Sequence, residues 1–101
     1  MKLRERIARF FDPPVVPKVR ELIDQAETFG LSEYDLNNAR EMLEVNEWGL
    51  GFDILVTQLY EYDIPITTEF IKLAEEVMND MKIDAGEFNF IYKLPIRQSN
   101  I

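Results

Sequence analysis

NEWGLGFDILVTQLYEYDIPI, residues 46–66, sets Trp48, Phe52, Leu55, Leu59 and Tyr62 at steps of four, three, four and three. That spacing is the apolar stripe of an amphipathic helix, and it predicts the central helix of the fold. Between the stripe residues stand Glu47, Asp53, Glu61 and Asp63, so the segment that fills the core also displays carboxylates. Asp63-Ile64-Pro65 ends it, because proline removes a donor and biases its predecessor out of the helical region. Gly49 and Gly51 fall in its first turns, where each costs up to about 1 kcal/mol relative to alanine. Close approach of another backbone would explain them; a loop over 46–51, with the helix starting at Phe52, is the competing reading.

Upstream, Leu36, Ala39 and Leu43 point a helix inward with Met42 at its edge, and Ser32 and Asp35 have the spacing of a capping box stapled by Leu31 and Leu36. Asn46 is placed to end that helix and cap the central one, with Val45 and Leu50 as a second staple. Before it, Val19, Leu22, Ile23, Ala26 and Phe29 mark another helix, entered through a stiff linker over 13–17 and closed by Gly30. Residues 1–12 read as a basic amphipathic helix, with Leu3, Ile7, Phe10 and Phe11 on one face and Arg4, Arg6 and Arg9 largely off it. Packing of its aromatics on the core, with its arginines against acidic neighbours, is favoured over a membrane surface.

Downstream, Thr67 or Thr68 caps a helix that repeats Phe70, Leu73, Ala74, Val77 and Met81. Residues 84–94 follow, with Asp84 and Glu87 at capping-box spacing and Ile83 placed to staple Phe88. Phe88, Phe90, Tyr92 and Leu94 also alternate as a strand would. A short helix is favoured there, and a frayed tail from Pro95. With no repeat or low-complexity tract, the chain is expected to be one all-α domain over residues 1–101, a compact bundle of five or six short helices.

The 101 residues include no cysteine and no histidine. Disulfides, thiolate metal sites, His-dependent nucleophiles and the usual neutral-pH base are therefore unavailable. Phosphate-binding glycine loops are missing, and the calcium-loop template would need Met81 and Ile83 as ligands. No cofactor or metal is expected. The carboxylate pairs Glu75/Glu76, Glu41/Glu44 and Glu61/Asp63 sit where helix faces should be wet, which argues against an enzyme that uses them.

Net charge is −8, unevenly spread: residues 1–20 carry +4 and residues 21–92 carry −14. Such a field repels phosphate backbones and speeds encounter with a basic partner, so direct nucleic-acid binding is not expected. A charged surface that serves only solubility is the competing reading. The charged N-terminus lacks a signal-peptide core, and no apolar run approaches the roughly 20 residues of a membrane span. A cytoplasmic protein without membrane contact is expected. Trp48 and Tyr60, each beside acids, are core residues or interface anchors.

Across residues 47–61 the chain resembles the small immunity proteins of the MafI type, which accompany toxins of polymorphic and contact-dependent growth inhibition systems. The likeness rests on Glu47, Gly51, Asp53, Leu55, Leu59 and Glu61, and extends over residues 20–95. It implies a non-enzymatic protein that binds one toxin domain, often a nuclease, inside the producing cell. On that footing Glu47, Asp53, Glu61 and Asp63 pair with toxin Lys and Arg, Trp48 and Tyr60 supply anchors, and Glu41 and Glu44 offer an alternative acidic face. Other readings are an adaptor or regulatory module unlinked to a toxin, a carboxylate-dependent enzyme that would need two acids converging in a pocket, and a homodimer.

Overall fold

The structure, a computed structural model, describes residues 13–97. The expected helix over 1–12 lies outside those residues, as do 98–101. The described chain is all-α: α1 (Val15–Phe29), α2 (Glu33–Glu44), α3 (Trp48–Glu61) and α4 (Thr68–Asp80), followed by a 3₁₀ helix (Ala85–Lys93).

Helix α1 begins two residues before the proline expected to open it, so 13–17 is not a linker. Val15 and Val16 are already buried core residues, and Pro17 falls in the first turn, where its missing N–H removes no intrahelical bond. Val19, Leu22, Ile23 and Ala26 complete the buried face of α1, which packs against α2, α3 and α4. Two cations, each paired with two carboxylates, flank those contacts. Arg40 of α2 reaches Glu27 at 2.8 Å and Asp24 at 3.4 Å, and Lys18 of α1 reaches Asp80 at 2.7 Å and Glu76 at 3.4 Å.

All four α-helices stop in the same way. A left-handed residue closes each, at the C-cap itself in Gly30 (φ 101°) and just after the C-cap in Asn46 (62°), Asp63 (55°) and Lys82 (57°). Its N–H, and that of the next residue, close back on the last turn. Gly30 and Leu31 donate to Glu27 and Ala26, Asn46 and Glu47 to Leu43 and Met42, Asp63 and Ile64 to Tyr60 and Leu59, and Lys82 and Ile83 to Asn79 and Met78. This is the Schellman arrangement at every end. Asn46 therefore ends α2 as expected but does not cap α3, whose N-cap, Glu47, makes no side-chain cap bond. Val45 and Leu50 form no buried staple, since they are 61% and 47% exposed.

At the starts of α2 and α4 the expected N-caps are made. Ser32 Oγ accepts the Asp35 N–H at 3.2 Å and donates to Asp35 Oδ2 at 2.9 Å, with Leu31 and Leu36 buried beside it. Thr67 Oγ1 accepts the Phe70 N–H at 3.0 Å.

Phe52, Leu55, Val56 and Leu59 are fully buried, which makes α3 the central helix the spacing predicts. It starts at Trp48, so the loop reading of 46–51 fails. The glycines are explained in part: a Cβ on Gly51 would stand 3.1 Å from the Ala39 carbonyl oxygen, so α2 and α3 approach through that position. The stripe's last member is corrected. Tyr62 is the C-cap of α3, 64% exposed, because the helix has already left the core at its final turn.

Phe88 and Ile91 in the 3₁₀ helix and Leu94 at its C-cap are buried, at steps of three. The favoured short helix is therefore found in 3₁₀ form, with the period of three that form requires, and the strand alternative fails. Phe88 breaks the run with φ −118° and ψ 29°, and packs edge-on against Phe52 with ring centroids 5.2 Å apart. Residues 95–97 are not frayed. Ile66 N–H donates to the Pro95 carbonyl and Arg97 N–H to the Ile66 carbonyl, at 2.9 and 2.8 Å. Arg97 also donates to the carbonyls of Pro65 and Phe29, its guanidinium 4.8 Å from the Phe29 ring centre.

Candidate partner-binding surface

Helices α2 and α3 and the turn between them form a hairpin over residues 33–63, and that hairpin carries the most unbalanced charge of the described chain. It holds eight carboxylates, Glu33, Asp35, Glu41, Glu44, Glu47, Asp53, Glu61 and Asp63, against the single cation Arg40. Arg40 is turned inward onto α1. Its guanidinium, held by Glu27 first and Asp24 second, has its pKa raised from the usual arginine value. Of the eight acids only Asp35 is buried, where Ser32 Oγ donates to it.

The hairpin is also where large apolar side chains meet solvent. Tyr34 is 75% exposed, Tyr60 41%, and Val45, Leu50 and Tyr62 are exposed as well, whereas the remainder of the described chain adds Tyr92 and Ile96. Aromatic and aliphatic side chains among carboxylates form the mixed surface a protein partner can desolvate.

At 100° per residue, Leu50, Asp53, Thr57, Tyr60 and Glu61 share the outer face of α3, opposite Phe52, Leu55 and Leu59. Within it Thr57 Oγ1 donates to Asp53 Oδ1 at 2.9 Å, and the Tyr60 ring lies 5.1 Å from that of Phe90, which limits its rotation. Glu33, Asn37, Glu41 and Glu44 line the outer face of α2.

The eight residues singled out from sequence therefore do not form one cluster. Asp53, Tyr60 and Glu61 come together, and so do Glu41 and Glu44. Glu47 and Asp63 flank opposite ends of α3, about 24 Å apart at 1.5 Å per residue. Trp48 is half-buried and packs against the core, so it presents only an edge. Sequence reasoning passed over Tyr34, Val45, Leu50 and Tyr62 as surface residues. For Tyr62 the signal was present in Asp63-Ile64-Pro65, which stops α3 and leaves its last residue beyond the core.

A separate cleft of about 210 Å³ is lined by Glu75, Met78, Asn79, Ile83 and Tyr92. Tyr92 Oη donates to Glu75 at 2.7 Å, and this bond is the first cause of a phenol pKa raised above the usual tyrosine value. Among the described residues no three His, Cys, Asp or Glu side chains converge as metal ligands, and no helix is long and apolar enough to cross a membrane. Comparison with known protein families, with functionally characterised proteins and with solved structures finds no match to this chain.

Proposed function

We propose that this chain is an immunity protein, binding a cognate basic nuclease toxin domain through the acidic α2–α3 hairpin and neutralising it in the cytoplasm of the producing cell. The observation that carries the reading is the hairpin's charge: seven exposed carboxylates, with its one cation engaged on α1. A nuclease must be basic to hold phosphates, so an acidic surface that imitates their charge is drawn to its cleft or to a patch beside it. The resemblance to MafI-type immunity proteins over 47–61 falls on the same hairpin. Asp53 and Glu61 face toxin Lys or Arg from α3, with Glu41 and Glu44 from α2 and Glu47 and Asp63 at the ends. Tyr60, braced by Phe90, and the exposed edge of Trp48 supply apolar area at the interface.

The test is growth protection. The product of the adjacent reading frame is expressed with and without this protein, and survival is scored. Protection by the wild-type chain is expected, with the paired reversal Asp53→Lys and Glu61→Lys weakening toxin affinity at least about tenfold and steepening with falling salt. A toxic neighbour that this chain fails to relieve removes the immunity reading. Binding without protection would favour an adaptor.

A further inference from the structure

We propose that the cleft between the end of α4 and the 3₁₀ helix receives a lysine side chain of a protein partner, its ammonium held by Glu75 and Asn79 and its aliphatic stem laid on Met78 and Ile83.

The cleft follows from the way α4 ends. Glu75 and Asn79 stand four residues apart, neighbours on one face of the helix, and Met78 lies beside them, buried. The left-handed turn at Lys82 folds the chain back, and the Ile83 N–H donates to the Met78 carbonyl at 2.9 Å, which sets Ile83 next to Met78. Burial of Phe88, Ile91 and Leu94 leaves Tyr92 facing outward, where its hydroxyl reaches across to Glu75 Oε2 at 2.7 Å. The lining is therefore graded. Met78 is buried and Ile83 half-buried, whereas Glu75, Asn79 and Tyr92 are exposed at the rim. The 210 Å³ that they enclose hold about seven waters at about 30 Å³ each, which leaves room for an ammonium on a four-carbon stem.

The charges along α4 indicate what the cleft lacks. Glu76 and Asp80, which follow Glu75 and Asn79 in sequence, are paired with Lys18 at 3.4 and 2.7 Å. Among the described residues Glu75 meets no cation, only the neutral Tyr92 hydroxyl, and the Asn79 side chain makes no hydrogen bond. An ammonium serves both, donating to Glu75 Oε1 and to the Asn79 amide oxygen while its methylenes cover Met78 and Ile83. An arginine fits less well, because its fork uses both oxygens of one carboxylate and Oε2 already accepts the phenol hydrogen. A free small molecule also fits less well. Such ligands are enclosed over about 70–90% of their surface, and this rim is open to solvent. A side chain carried by a protein needs no such enclosure, and the negative field of residues 21–92 draws basic proteins towards it. The cleft is built outside the α2–α3 hairpin and does not rest on the immunity reading.

The experiment titrates the full isotope-labelled chain with the capped tripeptide Gly-Lys-Gly. Saturable shifts are expected at the Met78 and Ile83 methyls and the Asn79 side-chain amide, with the core signals of Leu22 and Phe70 unmoved. The peptide acetylated on its lysine nitrogen should bind about threefold to fivefold more weakly, the scale of one exposed charge pair. Glu75→Gln, which keeps an acceptor for Tyr92, should weaken the unmodified peptide by a similar factor, and Asn79→Ala is the second variant. Equal binding of the acetylated peptide overturns the proposal, as does unchanged affinity in both variants. A Gly-Arg-Gly peptide that binds as tightly overturns the choice of lysine. Butylammonium chloride that binds as tightly as the lysine peptide assigns the cleft to a free amine and overturns the protein partner. No toxin enters the titration, so its failure leaves the growth-protection result standing on its own.

Discussion

Gly49 and Gly51 lie two residues apart in one helix, yet an added methyl meets different surroundings at each. At Gly51 it would press to 3.1 Å on a backbone carbonyl of α2, which cannot move without the helix that carries it. Overpacking of that kind costs about 1–3 kcal/mol, which outweighs the roughly 1 kcal/mol of helix propensity that alanine adds. At Gly49 the nearest atom is the flexible Met81 sulfur, at an ordinary 3.8 Å. Gly49→Ala should therefore raise the urea midpoint and Gly51→Ala lower it; equal shifts would refute the account of close approach. Tyr92 supports a prediction of another kind. Its hydrogen bond to Glu75 raises the phenol pKa, so the folded state gains from the protonated form below the ordinary tyrosine value and loses that gain as pH rises through the raised one. Ultraviolet titration should show a phenol that ionises above the ordinary value, and Tyr92→Phe should delete that step.

At the scale of the element, helix ends carry the clearest record of local chemistry. Gly30 announces its left-handed turn in the sequence, whereas Asn46, Asp63 and Lys82 adopt the same conformation with a side chain present. For a residue with a Cβ that region costs roughly 1–2 kcal/mol. What holds Lys82 there is the pair of bonds that it and Ile83 make to Asn79 and Met78, with Ile83 and Met78 both packed on the core. Lys82→Gly keeps those bonds and relieves the strain. It should stabilise the protein by about 1 kcal/mol in urea unfolding, and a loss of stability would show that the lysine side chain itself contributes there. The same comparison shows what was legible beforehand. The buried faces of α1, α3 and α4 could be read because a 3.6-residue period survives in Val19 to Ala26, Phe52 to Leu59 and Phe70 to Val77. The last helix was expected as a short helix, but its 3₁₀ form could not be read, because Phe88, Ile91 and Leu94 keep a period of three while Phe90 and Tyr92 imitate a strand. The candidate surface was legible in its charge but less so in its apolar part. Val45 and Leu50 fit a staple by spacing, and only the left-handed turn at Asn46 shows that they face outward.

Across the described molecule, one side chain ties residues 95–97 to distant parts of the fold, beside the backbone bonds to Ile66. Arg97 joins three distant parts of the chain, donating from Nε to Pro65 in the α3–α4 connection and from its terminal nitrogen to Phe29 at the end of α1, while its own backbone pairs with Ile66. The Phe29 carbonyl belongs to the last turn of α1, whose negative dipole end a cation complements. Beneath the guanidinium the Phe29 ring meets Phe70 edge-on at 5.7 Å, so the clamp bears directly on the core contact between α1 and α4. Nothing in the local sequence marks this role, because its partners lie 32 and 68 residues away. Removing the side chain leaves two carbonyls without their donor and takes the cation off the ring. Charge-assisted hydrogen bonds and a partly exposed cation–π contact together imply a loss of about 2 kcal/mol for Arg97→Ala. Amide exchange at Ile66 should accelerate in the same variant, since its bond to Pro95 depends on the segment staying in place. Arg97→Lys should recover only part of the loss, because an ammonium cannot serve both carbonyls and lie flat on the ring. An Arg97→Ala variant with unchanged urea midpoint and unchanged Ile66 exchange would show that the 66–96 bridge holds the segment by itself.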